Sequence, residues 1–183
     1  MKLTETECKL FFNLYHPLLL FINQQRRIIA DVFTVAGLRE KSSEQLQSLR
    51  TILYQCPHIF DYFISKNPFH FASNELEIVA SWKKWLVGRL FIFRETNYYT
   101  IFLSNVKPMK AYAVIALNNA FSKIFPEPLP VYIETALLPF KDKIITDGIF
   151  CRYRLEFGSG FIRNLHQSYL EAVDNEGIIT SLL

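Results

Sequence analysis

Two pairs of cations, each split by a single residue, are the most openly displayed chemistry in this sequence: Lys141 and Lys143 around Asp142, and Arg152 and Arg154 around Tyr153. Side chains two apart on an extended segment share a face. If the two segments pair antiparallel, four cations line one surface. Such a surface can hold the phosphates of RNA or DNA, with Phe140 or a tyrosine stacking on a base. The competing reading is a solvated strand face balanced by Asp142, Asp147 and Glu156. A third group follows, where Phe157-Gly-Ser-Gly-Phe161 leads into a predicted helix. Ser159 would be its N-cap and Arg163 would sit one turn in, where backbone N–H groups attract anions. The segment lacks the Lys-Ser/Thr ending of a P-loop, and Phe157 and Phe161 occupy the positions where a nucleophile elbow needs glycine.

Acid–base chemistry would need Asp147, Glu134 and His166 to converge in one pocket. Thr146-Asp147-Gly148 is first a turn signal. Glu134, within an apolar run, must face solvent or pair with a cation such as Arg152 or Arg154, because an unpaired buried carboxylate is too costly. Cys56, His58 and Asp61 are too close in sequence for catalytic partners, which normally meet through the fold. Cys8, Cys56 and Cys151 are odd in number and widely spaced. They read as free thiols of a reducing compartment, not as a disulfide frame or zinc site. No metal or cofactor is expected.

The elements that must position these groups follow from periodicity. Thr4 and Glu7 have capping-box spacing, and Leu10, Phe11, Leu14, Leu18 and Phe21 form a helical stripe over residues 4–25. Pro17 lies inside that stripe and predicts a kink or two abutting helices. A second helix starts at Ser42 or Ser43 and is interrupted at Pro57. A short turn over residues 58–64 closes at Asn67-Pro68. Ser73 or Asn74 caps a third helix, whose stripe of Leu76, Val79 and Trp82 points to the core and which ends at Gly88. Residues 89–94 and 98–103 form a hairpin around Thr96-Asn97. Further strands are predicted at 110–117, 131–138, 143–147 and 149–157, with a helical turn over 120–125. A helix over 161–173 and a short strand within 177–181 complete the list.

The fold class is therefore α+β, a helical N-terminal half packed on a small, strongly bent antiparallel sheet or barrel of five to seven strands. Residues 1–183 are expected to form one cooperative unit, helical over 1–87 and β-rich over 88–183, with no flexible linker at the switch. With 183 residues, half of them hydrophobic and 17 of them Phe, there is ample material for a core. The formal charge of +3 is weak and splits evenly between the two halves, which argues against a dedicated nucleic-acid binder. The apolar run at residues 16–22 is too short to cross a bilayer, and no signal-peptide pattern opens the chain. These features predict a cytoplasmic, non-enzymatic binding or regulatory protein. Its surface would comprise Phe140, Lys141, Lys143, Arg152, Arg154, Ser159 and Arg163, and its partner would be a protein or a nucleic acid, with self-association left open.

Several runs carry a resemblance: residues 77–83 (Glu-Ile-Val-Ala-Ser-Trp-Lys), 99–103 (Tyr-Thr-Ile-Phe-Leu), 135–141 (Thr-Ala-Leu-Leu-Pro-Phe-Lys), 144–148 (Ile-Ile-Thr-Asp-Gly) and 157–160 (Phe-Gly-Ser-Gly) running into Arg163. Together with the outline of Leu14-Tyr15 and Asn23, they resemble an uncharacterised family of bacterial proteins, mostly from Gram-positive species. Some members carry an added Cys-rich metal-binding segment, which residues 1–183 lack, so the resemblance implies a fold and no metal.

Overall fold

The computed structural model describes residues Met1–Leu182. Its chain forms two compact units: Glu5–Lys83, and Met1–Thr4 together with Lys84 onwards. The unit boundary falls at Lys83/Lys84, and the first strand begins at Leu86. Gly88 does not end a helix; it lies inside the first strand.

The helical unit contains α1 (Glu5–Arg26), α2 (Val35–Arg39), α3 (Ser43–Gln55), α4 (His58–Lys66) and α5 (Ser73–Ser81), followed by one 3-10 turn at Trp82–Lys84. α1 runs through Pro17 as one helix of 22 residues. A mid-helix proline costs about 3 kcal/mol, but Leu14, Tyr15, Leu18 and Leu19 around it are buried. Each such side chain contributes about 1.5–3 kcal/mol, so burial outweighs the break. Ser42 caps α3 with a reciprocal box to Gln45, and α4 ends at Asn67 in the left-handed conformation, φ 40°. For α5 the start is made by Glu75, whose carboxylate accepts from the Ala72 N–H at 2.9 Å, and not by Ser73 or Asn74. Trp82 is core, edge-on to Phe11 and Tyr15 at 5.5 and 5.7 Å.

Two polar contacts tie the loop after α1. Asn23 is buried; its amide donates to the Ile29 and Val32 carbonyls at 2.9 and 3.0 Å, and its Oδ1 accepts from the Ile29 N–H at 2.8 Å. Nearby, Arg39 Nε donates to His16 Nδ1 at 3.1 Å. Burial, and then the Arg39 charge, lower the His16 pKa from 6.5 to about 4.

The β unit contains β1 (Leu86–Glu95), β2 (Thr100–Ser104), β3 (Ala111–Ile115), α6 (Phe121–Ile124), β4 (Val131–Phe140), β5 (Lys143–Thr146), β6 (Cys151–Tyr153), α7 (Ser159–Glu176) and β7 (Ile178–Ile179). The sheet bends back on itself. β1 pairs antiparallel with β2 on one edge and with β4 on the other, and the order β1-β2-β3-β5-β4 returns to β1. A one-residue bulge at Phe93 lets β1 turn between its two partners. The sheet is not purely antiparallel: β3 runs parallel to β5 and to β7, and Lys2 bridges Ala116 in parallel.

Inside the bend lie Leu90, Ile92, Phe102, Val114, Ile133 and Ile144. The outer face of β1–β3 is also apolar: Phe91, Ile101, Leu103 and Ala111 pack against Leu165, Tyr169 and Ala172 of α7. An outward face of arginine and lysine is therefore not what these strands carry. Runs as apolar as 98–103 and 110–117 belong to strands buried on both sides.

Replacing Asn23 by Ala strands three buried backbone partners, so urea denaturation should show a loss of about 2–4 kcal/mol. The His16 contribution has the opposite sign to that of a paired histidine. Its folded-state pKa is lowered, so the stabilisation is complete above pH 6.5 and drains as pH falls toward 4. Relative to a His16→Gln variant, the wild type should lose on the order of 1–3 kcal/mol between pH 6.5 and 4 in parallel urea titrations.

Candidate functional site

Residues 143–153 start as one extended run and are broken by Asp147-Gly148, with Gly148 at φ 79°. Asp147 is buried. Its Oδ1 accepts from the Ile149 N–H at 3.1 Å and lies 3.2 Å from the Thr135 hydroxyl, which is 3.0 Å from the Ile149 carbonyl oxygen. The Asp147 N–H donates to the Ala136 carbonyl at 3.0 Å. The turn role of this triplet is thus its structural one. Past the bend, β6 rejoins the same edge of β4 as β5, pairing Glu134 with Cys151, Ile133 with Arg152 and Tyr132 with Tyr153, and the ladder stops there.

It stops where the sequence turns to proline. The residues leading into β4 include Pro126, Pro128 and Pro130, which have no N–H to give to the residues after β6. The two segments splay apart and leave a groove of about 490 Å³. One wall is residues 127–131 and the other residues 154–157, with Tyr132, Tyr153 and Ile162 of α7 also lining it. Beside it lies an aromatic cluster in which Phe157 stacks on Phe161 at 4.6 Å and Phe91 lies 4.6 Å from Tyr132.

Glu134 does not pair with Arg152 or Arg154. Its register partner on β1 is Arg89, whose Nε is 3.9 Å away, and its Oε2 accepts from the Tyr153 hydroxyl at 3.1 Å. Arg89 also lies over the Tyr153 ring at 5.0 Å. Burial, then the bond to Glu134, raise the Tyr153 phenol above its ordinary pKa. Asp147 shares the inward face of Thr135, and alternation puts the Glu134 side chain on the outward one. The ring of His166 meets Phe93 and Tyr169. Asp147, Glu134 and His166 therefore do not converge as an acid–base site.

Nor do the four cations share a surface. Residues directly opposite in a sheet share a face. Lys143 opposes Phe140, and Arg152 opposes Ile133 on the other face. Ile133 and Phe140 are seven positions apart along β4, ~23 Å of strand at ~3.3 Å per residue. Phe140 is fully buried and cannot stack on a base. Lys141 occupies the hairpin turn at φ 56°, and Lys143 is 3.9 Å from Asp142. Arg152 pairs with Glu127, whose carboxylate oxygens are sealed from solvent. Ser159 opens α7, but the capping position is Gly158. Arg154 and Arg163 are exposed, and among the described residues neither has an ion-pair partner.

Of the seven residues expected at a binding surface, Arg152 and Arg154 line the groove, while Arg163 follows its lining residue Ile162 in sequence and Ser159 lies three positions before Ile162. Missed by the sequence reading were Leu155 and Ile162, 55% and 40% exposed, and the proline wall opposite them. The repeated Pro-x-Pro of residues 126–130 was the available signal. No family model, curated protein or solved structure matches this chain, so its candidate site is defined by geometry alone.

The two arginines of β6 and its extension should separate on substitution. Arg152→Ala leaves the sealed Glu127 carboxylate without its counter-charge and should lower stability by about 1–3 kcal/mol. Arg154→Ala should stay within about 0.5 kcal/mol of wild type. Thermal or urea unfolding of the two variants checks the contrast.

Proposed function

We propose that this protein is a cytoplasmic, non-enzymatic binding or regulatory protein that recognises a protein partner at the groove between residues 127–131 and 154–157. Here large apolar side chains left in solvent meet arginines with no ion-pair partner among the described residues, beside a groove bounded by backbone without a ladder partner, and that coincidence carries the reading. Leu155, Phe161 and Ile162 are each at least 40% exposed, and Arg154 and Arg163 stand next to them in sequence. Apolar anchors rimmed by arginine are typical of protein interfaces.

Nucleic acid fits less well. Small five-stranded barrels that hold single strands use the open face of strands two and three, and α7 covers that face here. The charge keeps the nucleic-acid outcome worth measuring. With the unit boundary at Lys83/Lys84, the β unit carries 12 Lys and Arg against 9 Asp and Glu, and the helical unit 8 against 8.

The test pairs two probes in one buffer: phage-displayed random dodecapeptides selected on the immobilised protein, and labelled random-sequence single-stranded RNA and DNA. Enriched peptides should bind roughly tenfold more weakly to a folded Leu155→Asp variant, and the oligonucleotides should not bind. Oligonucleotide binding that weakens with salt and is lost in Arg154→Glu would replace this reading with nucleic-acid recognition. A selection that enriches no peptide would end it.

A further inference from the structure

We infer that the guest in this groove is an extended segment of the partner, added as a strand along residues 154–157. This deepens the protein-binding reading and rests on it. In β4 the Ala136 carbonyl accepts from Asp147, so residues of even number along β4 turn their backbone groups toward β5 and β6. Register then puts the N–H and C=O of Cys151 and Tyr153 in the ladder and those of Arg152 outside it. Continuing that alternation, Leu155 and Phe157 present theirs to the groove. Among the described residues, the backbone of 154–157 makes no hydrogen bond to another segment.

A row of unpaired donors and acceptors beside a groove is a template for strand addition. On the facing wall Pro128 and Pro130 offer carbonyls but no N–H, so they cannot donate to the carbonyls of 154–157 as a paired strand would. Side chains of the guest would alternate between the groove, against Tyr132, Tyr153 and Ile162, and the solvent side. Arg154, exposed and without an acid among the described residues, selects a guest with Asp or Glu at the facing position.

The experiment uses the full chain and the dodecapeptides enriched on it. Each peptide is resynthesised with a single N-methyl group at successive positions, which removes one backbone donor while keeping the side chain. Binding should fall roughly tenfold at every second residue and change little between them. Leu155→Pro should lose more than Leu155→Ala, with both variants shown folded by circular dichroism. Arg154→Glu should weaken binding, and a Lys in place of the peptide's acidic residue should restore it. Peptides that bind but tolerate methylation everywhere, or lose binding at every position, would overturn strand addition and leave protein recognition standing. Binding indifferent to both Leu155 variants would put the guest elsewhere and overturn this inference. Enrichment of no peptide would remove the underlying reading as well.

Discussion

The β unit depends on one buried carboxylate. Asp147 sits almost without solvent between the Ile149 N–H and the Thr135 hydroxyl, and its own N–H holds Ala136. Those donors stand in for water around the buried carboxyl group. What it secures is a break in a strand. β5 can pair with the far half of β4 and with β3, and β6 can return to the near half of β4. The opposite edge of β4 is given over to β1 from Val131 to Leu137. Every later feature follows from that arrangement: the closed curve of pairings, the projecting β6, and the wall of residues that continues it.

Proline sets the limits of the same strand. Pro139 lies two residues past Leu137, where pairing with β1 ends, and its nitrogen points to the edge β1 has vacated. It therefore costs no ladder bond, and β4 runs through it to Phe140. At the other end Pro130 and Pro128 have the reverse effect and keep the ladder from extending. Placement relative to the partner strand decides whether proline is harmless or a stop.

Much of this was legible in the residues. The capping box at Ser42, the hairpin around Thr96-Asn97, the turn at Asp147-Gly148 and the helix after Gly158 are local chemistry, and local chemistry shows in sequence. Pro17 was misleading because tertiary burial overrode it, and Gly88 because a glycine in a strand looks like one after a helix. The cation pairs were legible as pairs, but their mutual placement was not. Register between β4, β5 and β6 decides which face each takes, and no spacing within a single segment encodes that. The apolar outer face of β2 and β3 was visible as unbroken hydrophobic runs. That α7 covers it depends on a contact between residues some sixty apart in the chain.

The division of the chain has a consequence for its synthesis. The helical unit, Glu5–Lys83, is interposed between Met1–Thr4 and the strands, and Lys2 bridges Ala116 beside β3. β3 also takes Ile178 and Ile179 as neighbours. On a ribosome the helices can close while the strands are still unmade, since domains fold as they emerge. The sheet has to wait, its leading residues already outside and its third strand incomplete, until β7 has cleared the exit tunnel. Nascent molecules thus pass through an interval in which one unit is finished and the other still shows bare hydrophobic strands.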